Sequence, residues 1–334
     1  MKRATAAERL LGATLLGATL LGATQLGGCI DDLPSGVLVE RPRVLGVRVT
    51  IAGSPENAQP RAGEEVTLAW LTVPPEEGWS HALTACVGAP SNQGIPICEG
   101  EPFAVGLSPA PEMGPAWTFT VPEDAAGTLL IAGVLCANGS PALPAEGEML
   151  PTCEGEGATR ELVTFSVRIG GPGPINQHPE WDEDAFLFEG EPWAEPPTDL
   201  GETGCAGRSD LPQVARRRPD EEGVAPEPTE FGFHTRPGDR EPFQAFVLAD
   251  PPMLQDRIEE LSITHVATAG RMARLKTDVF DEETEAASTV PWIHPDDEVL
   301  PEVPTDGQTV RVWWVIRDGR GGMAMTERDF CLVP

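Results

Sequence analysis

The side chains with chemistry to offer are two acidic knots, five scattered histidines and seven cysteines. The first knot runs from His178 through Glu180, Asp182 and Glu183 to Asp184, and the second from His294 through Asp296 and Asp297 to Glu298. Calcium takes roughly six to eight oxygen ligands from carboxylates and carbonyls. Asp182 and Asp184, joined by a distant carboxylate, are the calcium site these residues suggest. Neither knot has the spacing of the EF-hand loop, and in a chain this acidic most carboxylate clusters are simply solvated. No other cofactor is expected.

Catalytic arrangements do not emerge. A serine hydrolase elbow needs Gly-x-Ser-x-Gly on a strand-to-helix turn; the stretch Gly106–Ala110 ends in alanine and no helix follows it. There is no His-Glu-x-x-His, phosphate-binding loop or dinucleotide fingerprint. His265 lies in phase with Leu261 and Ile263 and reads as a hydrogen-bonded sheet histidine. The chain is therefore expected not to be an enzyme. Trp313 faces away from its neighbour Trp314 on one strand. It is expected to be covered from the opposite face or by an insertion, and it would form a ligand platform only if exposed by more than about a third.

Cys29 stands apart near the N-terminus. The others are Cys86, Cys98, Cys136, Cys153, Cys205 and Cys331, an even number that reads as disulfides in an oxidising compartment. Their possible pairings number about fifteen, and sequence alone does not choose among them. Proximity favours 86–98 and 136–153, leaving 205–331; a rival is Cys86 with Cys136, joining two strands. Metal ligation ranks low, because no Cys-x-x-Cys occurs.

The elements that must position these groups read as strands. Val66, Leu68 and Trp70 alternate, as do Trp117 with Phe119 and Val163, Phe165, Val167 with Ile169. Thr128–Cys136 is apolar on both faces, as a central strand is. In the second half Phe243–Leu248, Glu260–Thr268 and Arg271–Thr277 are expected strands. Val310, Val312, Trp314 and Ile316 share one face, and Asp318–Gly322 turns the chain into a returning strand, Met323–Val333. Between the halves, from Gln177 to Pro242, lie seventeen carboxylates and ten prolines. Residues 206–242 are accordingly expected to be a long acidic, Pro-rich, irregular insertion. The expected fold is all-β, with one sandwich over 41–170 and a second over 171–334.

The first residues read as an address. Lys2, Arg3 and Arg9 precede an apolar stretch that repeats Leu-Leu-Gly-Ala-Thr three times and ends Leu26, Gly27, Gly28, Cys29. This is a signal rather than a span, since its apolar run falls short of the roughly 20 residues a bilayer needs. Leu-Gly-Gly-Cys resembles the lipobox of bacterial lipoproteins. The resemblance implies a signal over 1–28, removal at Gly28, lipids on Cys29 and a tether over 29–40. With Ile30, rather than aspartate, after the cysteine, it also implies the outer membrane.

A second resemblance spans most of the remaining chain in short pieces: Pro42–Arg48, Ala62–Leu68, Trp79–Cys86, Pro291–Pro295, Val310–Arg317 and Asp318–Gly322. Together they resemble uncharacterised Ig-like lipoproteins of high-GC Gram-negative bacteria. That implies tandem Ig-like sandwiches and transfers no functional residue. The chain departs from the immunoglobulin pattern in having no tyrosine, hence no tyrosine corner, and in lacking the Cys…Trp…Cys spacing.

Composition bounds the partners. Asp and Glu number 53 against 23 Lys and Arg, a formal charge of −30, and loss of residues 1–28 makes the body two units more negative. Nucleic acid and bare anionic lipid are excluded as partners, because both need basic surface. With 36 glycines and 35 prolines, a helical bundle is excluded as well. The expectation is a lipid-anchored envelope module for binding, adhesion or assembly, touching the membrane through its lipid and meeting an envelope protein or polysaccharide. The alternatives are an accessory or catalytic subunit acting on polysaccharide, and a structural spacer. Two carboxylates facing across a cleft at roughly 5–10 Å would favour the former.

Overall fold

The computed structural model of the chain describes residues 38–39, 41–75, 78–89, 97–112, 114–142, 151–171, 174–196, 204–218, 226–234, 240–247, 253–280, 287–295, 300 and 302–334. The signal, Cys29 and nearly all of the tether lie outside the described residues, as do Asp296, Asp297 and Glu298 of the second acidic knot. The fold is all-β: among the described residues the regular structure is strands and a single 3-10 turn.

The first half supplies β1 (Arg43–Ile51), β2 (Glu65–Val73), β3 (Trp79–Ala89), β4 (Ile97–Cys98), β5 (Ala104–Glu112), β6 (Ala116–Thr120), β7 (Thr128–Ala137), β8 (Ser140–Ala142), β9 (Thr152–Glu154) and β10 (Thr159–Arg168). One sheet has the order β1-β2-β6 and the other β10-β7-β3-β4, with β5 also on β3. Val66, Leu68 and Trp70 point inward from β2 at period two and meet Trp79, Leu83, Leu129 and Ile131 from the other sheet in one core. β7 lies between β10 and β3 and is buried on both faces over much of its length, as its unbroken apolar run requires.

The second half supplies β11 (Phe186–Phe188), β12 (Glu191–Pro192), β13 (Gln213–Ala215), β14 (Thr229–His234), β15 (Pro242–Val247), β16 (Met253–Ile258), β17 (Leu261–Ala267), β18 (Arg271–Met272), β19 (Lys276–Val279), β20 (Ala287–Ile293), β21 (Gln308–Arg317) and β22 (Met323–Val333). The two large sheets run β12-β11-β14-β20-β18 and β13-β22-β21-β17-β19, and β15 with β16 forms a separate hairpin. Phe186, Phe231, Phe233, Trp292, Trp314 and Phe330 fill the core between them. Gly270 has φ +67°, and a Cβ there would lie 2.5 Å from the Trp292 indole, so the turn into β18 needs glycine on both counts.

Two expectations are corrected. Residues 206–242 are not simply an irregular insertion: β13 pairs in parallel with β22, and β14 sits at the centre of a sheet, because Phe231 and Phe233 are core residues whatever their acidic neighbours. Arg271–Thr277 is not one strand; β18 pairs with β20 and β19 with β17, in different sheets. Trp313 is 1% exposed, so it forms no platform. Its cover comes from the first half of the chain: Leu45 and Val73 join Trp313, Val266, Val315 and Met323 in a third apolar cluster. The two halves are therefore packed on each other through apolar contact as well as joined by chain.

The cysteines pair as 86–98, 136–153 and 205–331, with Cα separations of 5.5, 5.7 and 5.6 Å. The first ties β3 to β4, the second β7 to β9, and the third pins the start of the 204–218 segment to β22.

Candidate functional site

A wide concave region lies where the two halves meet, and a strap of three residues runs beside it. Asn176, Gln177 and His178 run beside the 56–58 segment: Ala58 donates to the Asn176 carbonyl at 2.8 Å and His178 to that of Glu56 at 2.8 Å. The His178 ring is buried between the halves. Its Nδ1 accepts the Met323 amide at 3.0 Å, so the ring proton resides on Nε2, which donates to the Val49 carbonyl at 2.6 Å. Burial first, then the charge of Arg48, hold the imidazole below its ordinary pKa.

The turn between β21 and β22 meets the strap. Asp318 Oδ1 accepts the amides of Arg320 and Gly322 at 2.7 and 2.8 Å, and Oδ2 accepts Asn176 Nδ2 at 2.6 Å. The aspartate thereby shapes its own turn and fastens it to the strap. A Cβ on Gly322 would lie 2.0 Å from Asp318 Oδ2, which is why this position has no side chain.

Arg320, lifted by that turn, clamps the root of the β15–β16 hairpin. Its Nη2 donates to Glu241 at 2.8 Å and to Glu259 at 2.6 Å, and its guanidinium lies 4.4 Å over the Phe243 ring. Glu259 is 1% exposed. Burial pushes its pKa up to about 7 against the pull of the Arg320 hydrogen bond, with Asp318 and Glu241 adding to the rise. Arg240 braces the same root by donating to the carbonyls of Glu259 and Phe280, at 3.3 and 2.7 Å.

Beside this root opens a cleft of about 1230 Å³, walled by the end of β10 and the residues after it on one side and by β15 on the other, with Gly319–Gly321 at its base. A smaller polar cavity of about 250 Å³ lies between the strap and Glu259 and includes Trp181 and Asp182. Asp182 and Asp184 are both exposed around the 3-10 turn Glu183–Ala185, and among the described residues no three His, Cys, Asp or Glu side chains come together to hold a metal. His294 is buried and pushed down to about 4 by burial and the charges of Arg217 and Arg216. His265 is buried edge-on to Trp314 at 4.9 Å, with Thr277 Oγ1 3.3 Å from its Nε2; burial, with the charge of Arg274 adding to it, drops it to about 4.

No protein-family model matches the chain, and no curated protein is detectably similar to it in sequence.

Glu241 and Glu259 do not face each other across an open cleft as a glycosidase pair would, because one guanidinium nitrogen stands between them and holds both. Sequence reading marked His178 within an acidic knot and Asp318–Gly322 as a turn. It missed Asn176, Glu241, Glu259 and Arg320 as partners. The one local hint is Arg320 itself, an arginine among glycines in a turn that has no need of it.

Proposed function

We propose that the chain is an exported, lipid-anchored binding and assembly module of the cell envelope, two tandem Ig-like sandwiches held at the outer membrane through Cys29. The reading of export is supported by three disulfides inside an all-β body, a pattern suited to oxidising compartments. The Ig-like reading is supported by two pairs of sheets, each closing on its own core.

The observation that carries the binding reading is how the ionisable groups of the junction beside the cleft are used. Both nitrogens of His178 hold backbone, Asp318 holds its own turn and Asn176, and Arg320 holds Glu241 and Glu259. A general acid or base must reach a reacting proton, and these groups are bound to the fold. What is left for a partner is a shaped, wide cleft.

Two experiments test the proposal. Palmitate labelling is lost in Cys29→Ser; label that persists refutes the anchor. Cross-linking in intact envelopes, followed by capture of the lipidated protein, recovers a specific partner. Recovery of nothing above background favours a structural spacer and overturns the binding reading.

A further inference from the structure

Two strand edges left unpaired within their sheets border the same cleft, and just past β10 the outward amide of Gly170 is already given to the Pro60 carbonyl at 2.7 Å. Among the described residues β10 pairs only with β7, and β15 only with β16. Ile169, just past β10, donates to the Gly127 carbonyl at 2.8 Å on the β7 side. Peptide groups alternate sides along a strand, so the N–H and C=O of Ser166 and Arg168 point away from β7. Glu259 donates to the Glu241 carbonyl at 3.0 Å. By the same alternation, the N–H and C=O of Gln244 and the C=O of Pro242 point away from β16. These four residues all border the cleft, and so do Val167 between the first two and Phe243 between the others. A backbone edge presents consecutive residues in this way, whereas a side-chain face presents alternate ones. The Gln244 side chain is drawn aside to Asp256 at 3.0 Å, and Pro242 stands at an edge position where proline forfeits no ladder bond.

We propose that the cleft receives an extended segment of a second protein as an added strand, hydrogen-bonded to β10 on one side and β15 on the other. This rests on the binding reading above and names its site and partner class. Unpaired edges recruit strands, and a two-stranded ribbon standing alone is marginal in water. Charge selects the kind of segment. Arg168, Arg320, Glu241 and Asp256 sum to zero on the cleft walls of a chain whose formal charge is −30. Arg168 has no ion partner among the described residues, so the segment is uncharged except for one carboxylate opposite it. Asn176 is a further lining residue. Its side chain is 2% exposed beside the cleft, its Nδ2 is given to Asp318, and its Oδ1 is a buried acceptor without a protein partner.

The test titrates the full chain in detergent with a short peptide of alternating threonine and valine bearing one central aspartate. Saturable binding is expected, with slowed hydrogen exchange at the amides of Ser166, Arg168 and Gln244. N-methylation of alternate peptide amides weakens binding at least about tenfold. Ser166→Pro removes an outward amide without touching the β7 ladder and weakens the peptide similarly, while Ser166→Ala leaves affinity unchanged. If Ser166→Pro lowers the melting temperature enough to unfold the chain, the N-methylated peptide decides alone. The proposal fails if the peptide does not saturate or if N-methylation leaves affinity unaltered. It fails equally if cellohexaose, and not the peptide, protects these amides. A specific partner captured from envelopes alongside a failed peptide titration leaves the binding reading standing and removes this one.

Discussion

His178 donates from Nε2 to the carbonyl of Val49 at 2.6 Å, binding the strap at the start of the second half to β1 of the first. The same ring accepts the Met323 amide, so one neutral imidazole satisfies two buried backbone groups from distant parts of the chain. His178→Ala leaves both unpaired and is expected to cost about 2–6 kcal/mol, from roughly 1–3 for each orphaned group. The bonds also make stability depend on pH. A second proton on the ring would face the Met323 N–H, and the folded pKa lies below the unfolded value of 6.5. The contribution is complete above pH 6.5 and is lost as pH falls from there through the folded pKa. His265 and His294, both pushed down to about 4, act with the same sign between pH 6.5 and 4. Urea unfolding at pH 8 and pH 5 measures this: the loss on acidification is smaller in His178→Ala, and an equal loss refutes the role.

Glu259 titrates with the opposite sign. Its folded pKa of about 7 lies above the ordinary 4.5, so the folded chain holds this proton where the unfolded chain has released it. Its contribution is fully present below pH 4.5 and is lost as pH rises through 7. Glu259→Gln cannot titrate. Relative to the natural chain, the variant is expected to look better at pH 8 than at pH 4.5, by on the order of 2–3 kcal/mol. A difference in stability that stays constant across that range shows Glu259 already ionised and fully compensated by Arg320.

Trp313 welds the halves. It is 1% exposed among Leu45, Val73, Val266, Val315 and Met323. Trp313→Ala is expected to cost about 3–5 kcal/mol and to speed hydrogen exchange in β1 as well as β21. The indole N–H has no hydrogen-bond partner, so Trp313→Phe drops an unpaired donor along with some volume and should cost less than about 1.5 kcal/mol. Exchange that quickens in β21 alone would mean the cluster does not couple the halves.

Long alternating runs were legible from sequence because one buried face imposes period two locally. β2, β21 and β22 fall where their apolar residues place them, and the central position of β7 follows from its two apolar faces. β14 was obscured by proline and acid on both sides, although its Phe231 and Phe233 carry the alternation. β13 pairs in parallel with the last strand of the chain and has no local signature at all. The split of β18 from β19 was hidden for a related reason: residue alternation reports which face is buried, not which sheet a strand joins. The site was harder still. Asn176 meets Asp318 across 142 positions and Arg320 meets Glu259 across 61, and no spacing rule connects partners that far apart.

Gly319 and Gly322 stand in one turn and answer differently to an added methyl group. Gly319 has φ +71° and open space around an added Cβ, so Gly319→Ala is expected to cost about 1 kcal/mol of backbone strain alone. At Gly322 an added Cβ would lie 2.0 Å from Asp318 Oδ2 and 2.5 Å from the Gln177 carbonyl. The carboxylate must then move, and with it go its bonds to Asn176, Arg320 and Gly322. Gly322→Ala is expected to cost about 3 kcal/mol or more, combining overpacking with broken buried bonds. It should also speed exchange at Asn176 and Gln177 in the other wall of the junction, which Gly319→Ala leaves unchanged. Equal costs at the two positions, measured by urea unfolding, would show that the turn is tuned only by backbone conformation and that Asp318 does not fasten it to the strap.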